Sequence, residues 1–285
     1  MSATSSSTPA DHGREIAAGE RFRFGDNWAA FLEVLDDARI EAAERSLIER
    51  LGRARLDGVR VVDAGSGSGL FSLAAHRLGA DVTSFDFDPQ SVACTTELRR
   101  RYAIDSPRWR VLQGSVLDPA FIGGLGTFDL VYSWGVLHHT GAMWDAIDRA
   151  TSMVAPGGQL FIAIYNDQGR TSQAWLRVKQ AYCGSTVGRA AVLGAFVPYF
   201  VGRAAAADLV RGKSPLERHR AYRQRRGMSM MHDIVDWLGG LPFEVASPGA
   251  IVDFLRARGL VIERLITVGG AHGCNEFVAR RAPVR

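Results

Sequence analysis

The chain has only three cysteines, Cys94, Cys183 and Cys274, far apart and in no CxxC pair. An odd, scattered set excludes a disulfide framework and offers no zinc-ligand spacing, so a reducing cytoplasm is the expected compartment. The first 20 residues, MSATSSSTPADHGREIAAGE, contain no apolar core of a secretory signal. They read instead as a polar tail, expected to be disordered to about Gly19. Charge of one sign is also scarce. With 34 Lys+Arg against 30 Asp+Glu, the net charge is +4, too small for nucleic-acid binding unless concentrated locally. The apolar stretch 187–202, VGRAAVLGAFVPYFVG, is too short and interrupted to span a bilayer. No internal repeat is evident.

What is there is apolar residue in quantity and in order. At 47% hydrophobic, 285 residues suffice for one α/β domain with insertions. Trp28, Phe31, Leu32 and Leu35, then Ile40, Ala43, Leu47 and Leu51, recur at helical spacing, with Asn27 as an N-cap. From Val59 onward, short apolar runs alternate with helical stretches. Strands are expected at 59–64, 82–86, 109–113, 128–133 and 158–165, and helices near 69–79, 89–102, 117–124 and 142–154. Residues 171–226 look helical. Ser247-Pro248 then reads as an N-cap and first turn for a helix at 248–258, followed by strands at 260–268 and 275–280. The right-handed crossover rule makes this a doubly wound, mostly parallel seven-stranded sheet, with N-terminal helices and an insertion at 166–246.

The most informative stretch is VRVVDAGSGSGL, residues 59–70. A strand runs into Gly65, Gly67 and Gly69, which let the backbone turn sharply and approach a ligand, and a helix N-terminus follows. The spacing is G-x-G-x-G, whereas a dinucleotide fingerprint requires G-x-G-x-x-G. Asp63 at the strand end suits an ammonium or sulfonium group better than a pyrophosphate, by charge sign. Asp86 ends the next strand, about 20 residues on, where a carboxylate can accept bonds from ribose hydroxyls. Asp88, just before Pro89, reads as a helix N-cap. An NAD-type oxidoreductase is the alternative.

Together VVDAGSGSG (61–69), SFDFDP (84–89), QGSVLD (113–118), FDLVYSWGVLHHT (128–140) and APGGQLFIAIYN (155–166) resemble the class I S-adenosylmethionine-dependent methyltransferases. The overall pattern is similar to the ubiquinone-biosynthesis O-methyltransferases. The resemblance implies a Rossmann-like methyltransferase fold over residues 21–285, with S-adenosyl-L-methionine as cofactor. It implies that Asp63 and the backbone of Gly65 and Gly67 hold the methionine end, that Ser66 and Gly69 also bind the cofactor, and that Asp86 holds the ribose. Phe87 would lie against adenine, and Val116 would offer its N–H. Ser115 stands where many relatives have Asp. Ser133 and Trp134 would contact the methionine portion.

Methyl transfer to an alcohol or phenol needs positioning and removal of a proton. His139 is the first choice for the base and His138 the second, because both follow the fourth-strand turn. Tyr165 and Asp167 are candidates to bind or gate the acceptor, and His232 is a further site residue. The adjacent histidines do not converge as metal ligands, and no metal site is expected. A small-molecule acceptor is expected, methylated on oxygen first, with nitrogen and carbon as the alternative acceptor atoms. The fourth strand lacks the [DNS]-P-P-[YFW] turn of nucleic-acid methyltransferases. Arg211, Lys213, Arg218, Arg220, Arg223, Arg225 and Arg226 follow the apolar stretch, so an amphiphilic acceptor, a membrane surface or RNA are the alternatives to a plain lid.

Overall fold

A computed structural model describes residues 9–103, 106–212, 214, 230–270 and 273–283. Seven strands lie in the order β3-β2-β1-β4-β5-β7-β6. They are β1 Arg60–Ala64, β2 Asp81–Asp86, β3 Trp109–Gln113, β4 Phe128–Trp134, β5 Val154–Tyr165, β6 Leu260–Ile266 and β7 Cys274–Arg281. The first five pair in parallel, and β7 runs antiparallel between β5 and β6. This is the expected doubly wound sheet.

Alternation along the strands feeds two cores. Val62, Val131, Leu160 and Ile162 face α6 (Pro119–Leu125), α7 (Met143–Ser152) and α11 (Pro248–Arg256). Val61, Leu130, Tyr132 and Phe161 face α3 (Asp37–Leu51), α4 (Leu70–Arg77) and α5 (Pro89–Tyr102). Helix starts follow their side-chain chemistry. Asp88 caps α5 by accepting from Gln90 N, Asp118 caps α6, and Ser247 caps α11 by accepting from Ala250 N. Strand order reverses between β1 and β4, so the connections leaving their C-terminal ends diverge and open a crevice.

Two N-terminal expectations need correction. Pro9–Ala17 form helix α1 rather than tail, and α2 spans Phe24–Glu33, so Asn27 is a buried residue inside a helix and not its cap. The chain here is held by tertiary contacts: the Gly25 N–H donates to Asp88, and the Phe22 N–H donates to the Leu241 carbonyl.

The insertion carries α8 (Arg170–Gly184), α9 (Thr186–Val210) and α10 (Met230–Gly239), with a third apolar cluster around Phe22, Tyr182, Val192, Ile234 and Leu238. Helix α9 continues beyond the apolar stretch to 25 residues, long and apolar enough to cross a membrane by length and composition. That corrects the expectation from residues 187–202. Val192, Phe196 and Phe200 belong to the third cluster, while Val187, Tyr199, Leu209 and Val210 are exposed. Of the basic series after α9, only Arg211 lies within the described residues. The His232 side chain lies outside them, although its backbone is in α10.

Candidate active site

The crevice is a cavity of about 660 Å³ at the C-terminal ends of β1, β2 and β4, walled by α2 and α3. Its floor is the glycine loop. Gly65, Gly67 and Gly69 all have positive φ (84°, 54° and 80°). A Cβ on Gly65 would stand 2.3 Å from the Val136 side chain, and one on Gly67 2.8 Å from the Trp28 ring. The loop is pinned from below: the Gly65 and Ser66 N–H groups donate to the Phe85 carbonyl at 2.8 and 3.1 Å. Thr95 Oγ1 bonds the Ser66 hydroxyl and donates to the Gly67 carbonyl.

Asp63 sits beneath the loop, 3% exposed. Trp109 Nε1 donates to Ser84 Oγ, and Ser72 Oγ donates to Asp63. The Ser72 proton being committed, Ser84 donates across the 2.6 Å contact to Ser72. Three donors in series therefore aim at one carboxylate, each polarising the next. Burial nevertheless pushes Asp63 up to about 7; Ser72 opposes this and the Asp86 charge adds to it. Asp86 ends β2 and accepts from the Gly67 N–H at 2.9 Å and the Asp88 N–H at 3.0 Å. Burial pushes it up to about 6 despite those bonds.

At the β2–β3 side, Phe87, Ser115 and Val116 line the cavity. Ser115 Oγ accepts from the Leu117 N–H at 3.1 Å and so tightens this turn. Residues from α1 and the chain before α2 roof this side. The His12 ring meets Phe87 edge-on, Arg21 lies over Phe87, and His12 Nε2 stands 3.8 Å from Asp88. Burial lowers the His12 pKa, with Asp88 opposing.

At the β4 end, Trp134, Gly135, Val136, His139 and Thr140 line the cavity. Ser133 does not: its hydroxyl donates to the Ala64 carbonyl at 2.7 Å, tying β4 to β1. His139 Nδ1 lies 2.6 Å from the Pro242 carbonyl, and burial brings its pKa down to about 3. His138 is fully buried behind it, its ring centre 4.0 Å from that of Tyr165 and tilted 43° to it. Burial holds it well below the usual imidazole range. Gly69, His138, Tyr165 and Asp167 are not among the residues lining the cavity. Asp167 Oδ1 instead accepts from the Gly169 N–H at 2.7 Å in the turn before α8.

A family model described as "Methyltransferase domain" matches residues 62–160. The ubiquinone biosynthesis O-methyltransferase of Methylocella silvestris is 31% identical over 201 residues, 67% of this chain and 72% of that protein. The chain belongs to the S-adenosylmethionine-dependent methyltransferase family. A protein of the same description from Xanthomonas campestris pv. campestris is 32% identical over 114 residues, 40% of this chain, and the match spans about half (46%) of its length. Among solved structures, the magnesium protoporphyrin IX methyltransferase of Synechocystis PCC 6803 with bound S-adenosylmethionine has a TM-score of 0.50. It is 13% identical, with 97% of this chain and 93% of that one covered. An O-methyltransferase family protein from Burkholderia thailandensis reaches 0.51 at 13% identity, over 86% and 56% of the two chains.

This methyltransferase therefore uses S-adenosylmethionine, and the residues present fit it. Asp63 is a buried carboxylate whose raised pKa marks an uncompensated charge, the setting a cation relieves. Gly65 and Gly67 lie so close to the Val136 and Trp28 side chains that the loop has no room for a Cβ at either position. The G-x-G-x-G spacing of the loop departs from the dinucleotide fingerprint, which disfavours that alternative. Sequence reasoning missed His12, Arg21, Phe24, Trp28, Arg50 and Tyr132 as cavity residues. The N-terminal ones carry no motif. Glu276, a carboxylate just before the apolar stretch 277–279 of β7, is the one signal that was readable.

Proposed function

We propose that this enzyme methylates a small molecule on oxygen, with His139 as the base that takes the acceptor's proton. The observation that carries this reading is the histidine's tautomer. The Pro242 carbonyl can only accept, so Nδ1 holds the proton and Nε2 keeps its lone pair. His139 lines the cavity with Val136 and Thr140, next to the glycine loop. S-Adenosylmethionine, when bound, supplies the methyl group as an electrophilic carbon on sulfur. Burial keeps His139 neutral and therefore a weak base towards a resting hydroxyl. A hydroxyl becomes strongly acidic once its oxygen gives an electron pair to carbon, and His139 accepts the proton at that stage. Phe24 at 4.9 Å and Tyr165 at 5.3 Å between ring centres hold the imidazole and exclude water. The name of the Methylocella relative, an O-methyltransferase, supports oxygen as the acceptor atom.

Residues 166–246 serve in this reading as the acceptor's lid. His138, fully buried, packs the base from behind, and Tyr165 links it to the insertion through Trp237, 5.3 Å away. Exposed apolar residues on α9, with Arg189, Arg203 and Arg211 beside them, support an amphiphilic acceptor met at a lipid surface. Co-sedimentation with anionic vesicles tests that part, and salt-insensitive absence of binding removes it. For the base, His139→Gln is expected to lower kcat by about 10²–10⁴-fold with catechol-type acceptors while S-adenosylhomocysteine affinity stays within twofold. Retention of most of kcat across the pH range would sink the assignment.

A further inference from the structure

His139 takes its tautomer from the Pro242 carbonyl, so whatever holds that carbonyl in place also sets the state of the base. Residues 240–245 belong to no helix or strand, and no ladder of hydrogen bonds fixes them. Two backbone bonds tie the segment to the sheet side. The Glu244 N–H donates to the His138 carbonyl and the Ala246 N–H to the Tyr165 carbonyl, both at 3.0 Å. Its other anchor is a side chain from the insertion.

That side chain is Lys179 of α8, wholly buried. Its ammonium donates to the Trp237 carbonyl in the last turn of α10, and one turn further along α8 the Cys183 thiol donates to the Gly239 carbonyl at 3.1 Å. The last four carbonyls of a helix have no partner within it, and a cation there also meets the negative end of the helix dipole. Water or an exposed lysine would satisfy the same carbonyl, whereas a buried ammonium is costly. What burial adds is a fixed position. The ammonium lies 4.7 Å from the Trp237 ring centre, 4.8 Å from that of Phe243 and 6.0 Å from that of Tyr165. Those rings come from α10, from the segment after it and from β5. Phe243 adjoins Pro242 in the chain, and Tyr165 meets the His139 ring edge-on at 5.3 Å. The ammonium is thus one residue from the carbonyl that orients the base and one ring from the base itself.

We infer that Lys179 is a positioning residue for His139: it pins the end of α10 and the segment beyond it, and so places the Pro242 carbonyl on Nδ1. The inference rests on the reading of His139 as the base. Lys179 acts through the Pro242 carbonyl and the Tyr165 ring, and it is not among the residues lining the cavity. Burial keeps His138 and His139 neutral, and the nearby ammonium acts in the same direction.

The test reads the tautomer directly, by nitrogen NMR of the full chain carrying isotope-labelled histidine, with His139→Gln assigning the signal. The unaltered protein is expected to show His139 protonated on Nδ1. Lys179→Met keeps an unbranched apolar stem and removes the ammonium, and is expected to give a mixture of the two tautomers. With catechol as acceptor, kcat should fall by about 10- to 100-fold while S-adenosylhomocysteine affinity stays within twofold. Phe243→Leu loosens the same contact from the other side and should move both readouts in the same direction by less. It decides the matter where Lys179→Met no longer binds S-adenosylhomocysteine. An unchanged tautomer in a variant that binds S-adenosylhomocysteine normally overturns the inference, whatever happens to kcat. Loss of the tautomer with full kcat upholds the positioning by Lys179 and removes His139 as the base.

Discussion

The β1–β4 half of the molecule and the insertion at 166–246 are built by different means. In the first, direction is everything. Asp63, Asp86, Asp88 and Asp118 each accept from a named hydroxyl or backbone N–H, and the glycine loop is pinned to the Phe85 carbonyl. In the second, contact is mostly aromatic. Trp175 packs on Phe196 at 5.4 Å and on Trp237 at 5.6 Å, and a fully buried Lys179 lies against the Trp237 and Phe243 rings while its ammonium donates to the Trp237 carbonyl. Hydrogen bonds fix geometry to tenths of an ångström, whereas apolar packing fixes mainly volume. One half meets the cofactor, whose shape does not vary; in the proposed reading the other meets the acceptor, whose shape varies between relatives.

The contrast breaks most severely at Gly65. Gly65→Ala puts a Cβ against Val136 at a φ that L-residues rarely adopt. Strain and clash together amount to about 2–5 kcal/mol, so S-adenosylhomocysteine affinity should fall on the order of 100-fold. A loss below threefold by titration would mean that the directional half is softer than its geometry implies.

The second effect is set by pH. The raised pKa of Asp63, about 7, belongs to the empty site, and a cationic ligand needs the carboxylate ionised. Below pH 7 a proton has to leave before the ligand enters, so the dissociation constant should rise as pH falls, approaching about tenfold per unit, and stay flat above. Asp86, up to about 6, adds to the rise below that pH where its ribose role is correct. Titrations in buffers of different ionisation enthalpy read the released proton directly. His139, near 3, stays neutral throughout this window and contributes nothing to the slope.

The smallest expected change sharpens the comparison from the other side. Trp175→Ala removes the ring that joins α8, α9 and α10. Proteolysis within the insertion should accelerate while S-adenosylhomocysteine affinity stays within twofold. Cofactor binding that fell with it would show the two halves to be one cooperative unit.

The same division decides what was legible in the sequence. Strands at 109–113 and the helix at 89–102 coincide with the observed bounds, because glycine, proline and capping aspartate punctuate each unit. Asp63, Asp86, Phe87, Ser115 and Val116 all line the cavity for the same reason. Residues brought in by tertiary docking leave no such punctuation. His12 and Arg21 sit in a polar stretch that reads as tail, and Arg50 reads as an ordinary surface residue of an amphipathic helix. Ser133 had the right position but the wrong direction: a strand side chain points to one face or the other, and this one is claimed by the Ala64 carbonyl.

The place of β7 in the sheet has a consequence for how the enzyme is made. It follows β6 in sequence, yet it inserts between β5 and β6, and its Glu276 reaches both Arg50 and Trp134. A nascent chain emerging from the ribosome can form the glycine loop and the first five strands early, but it has no Glu276 with which to finish the far wall of the cavity. Synthesis thus leaves the site open until β7 has been made, and a chain clipped before Cys274 would keep the sequence motifs of the enzyme while lacking one side of its cofactor chamber.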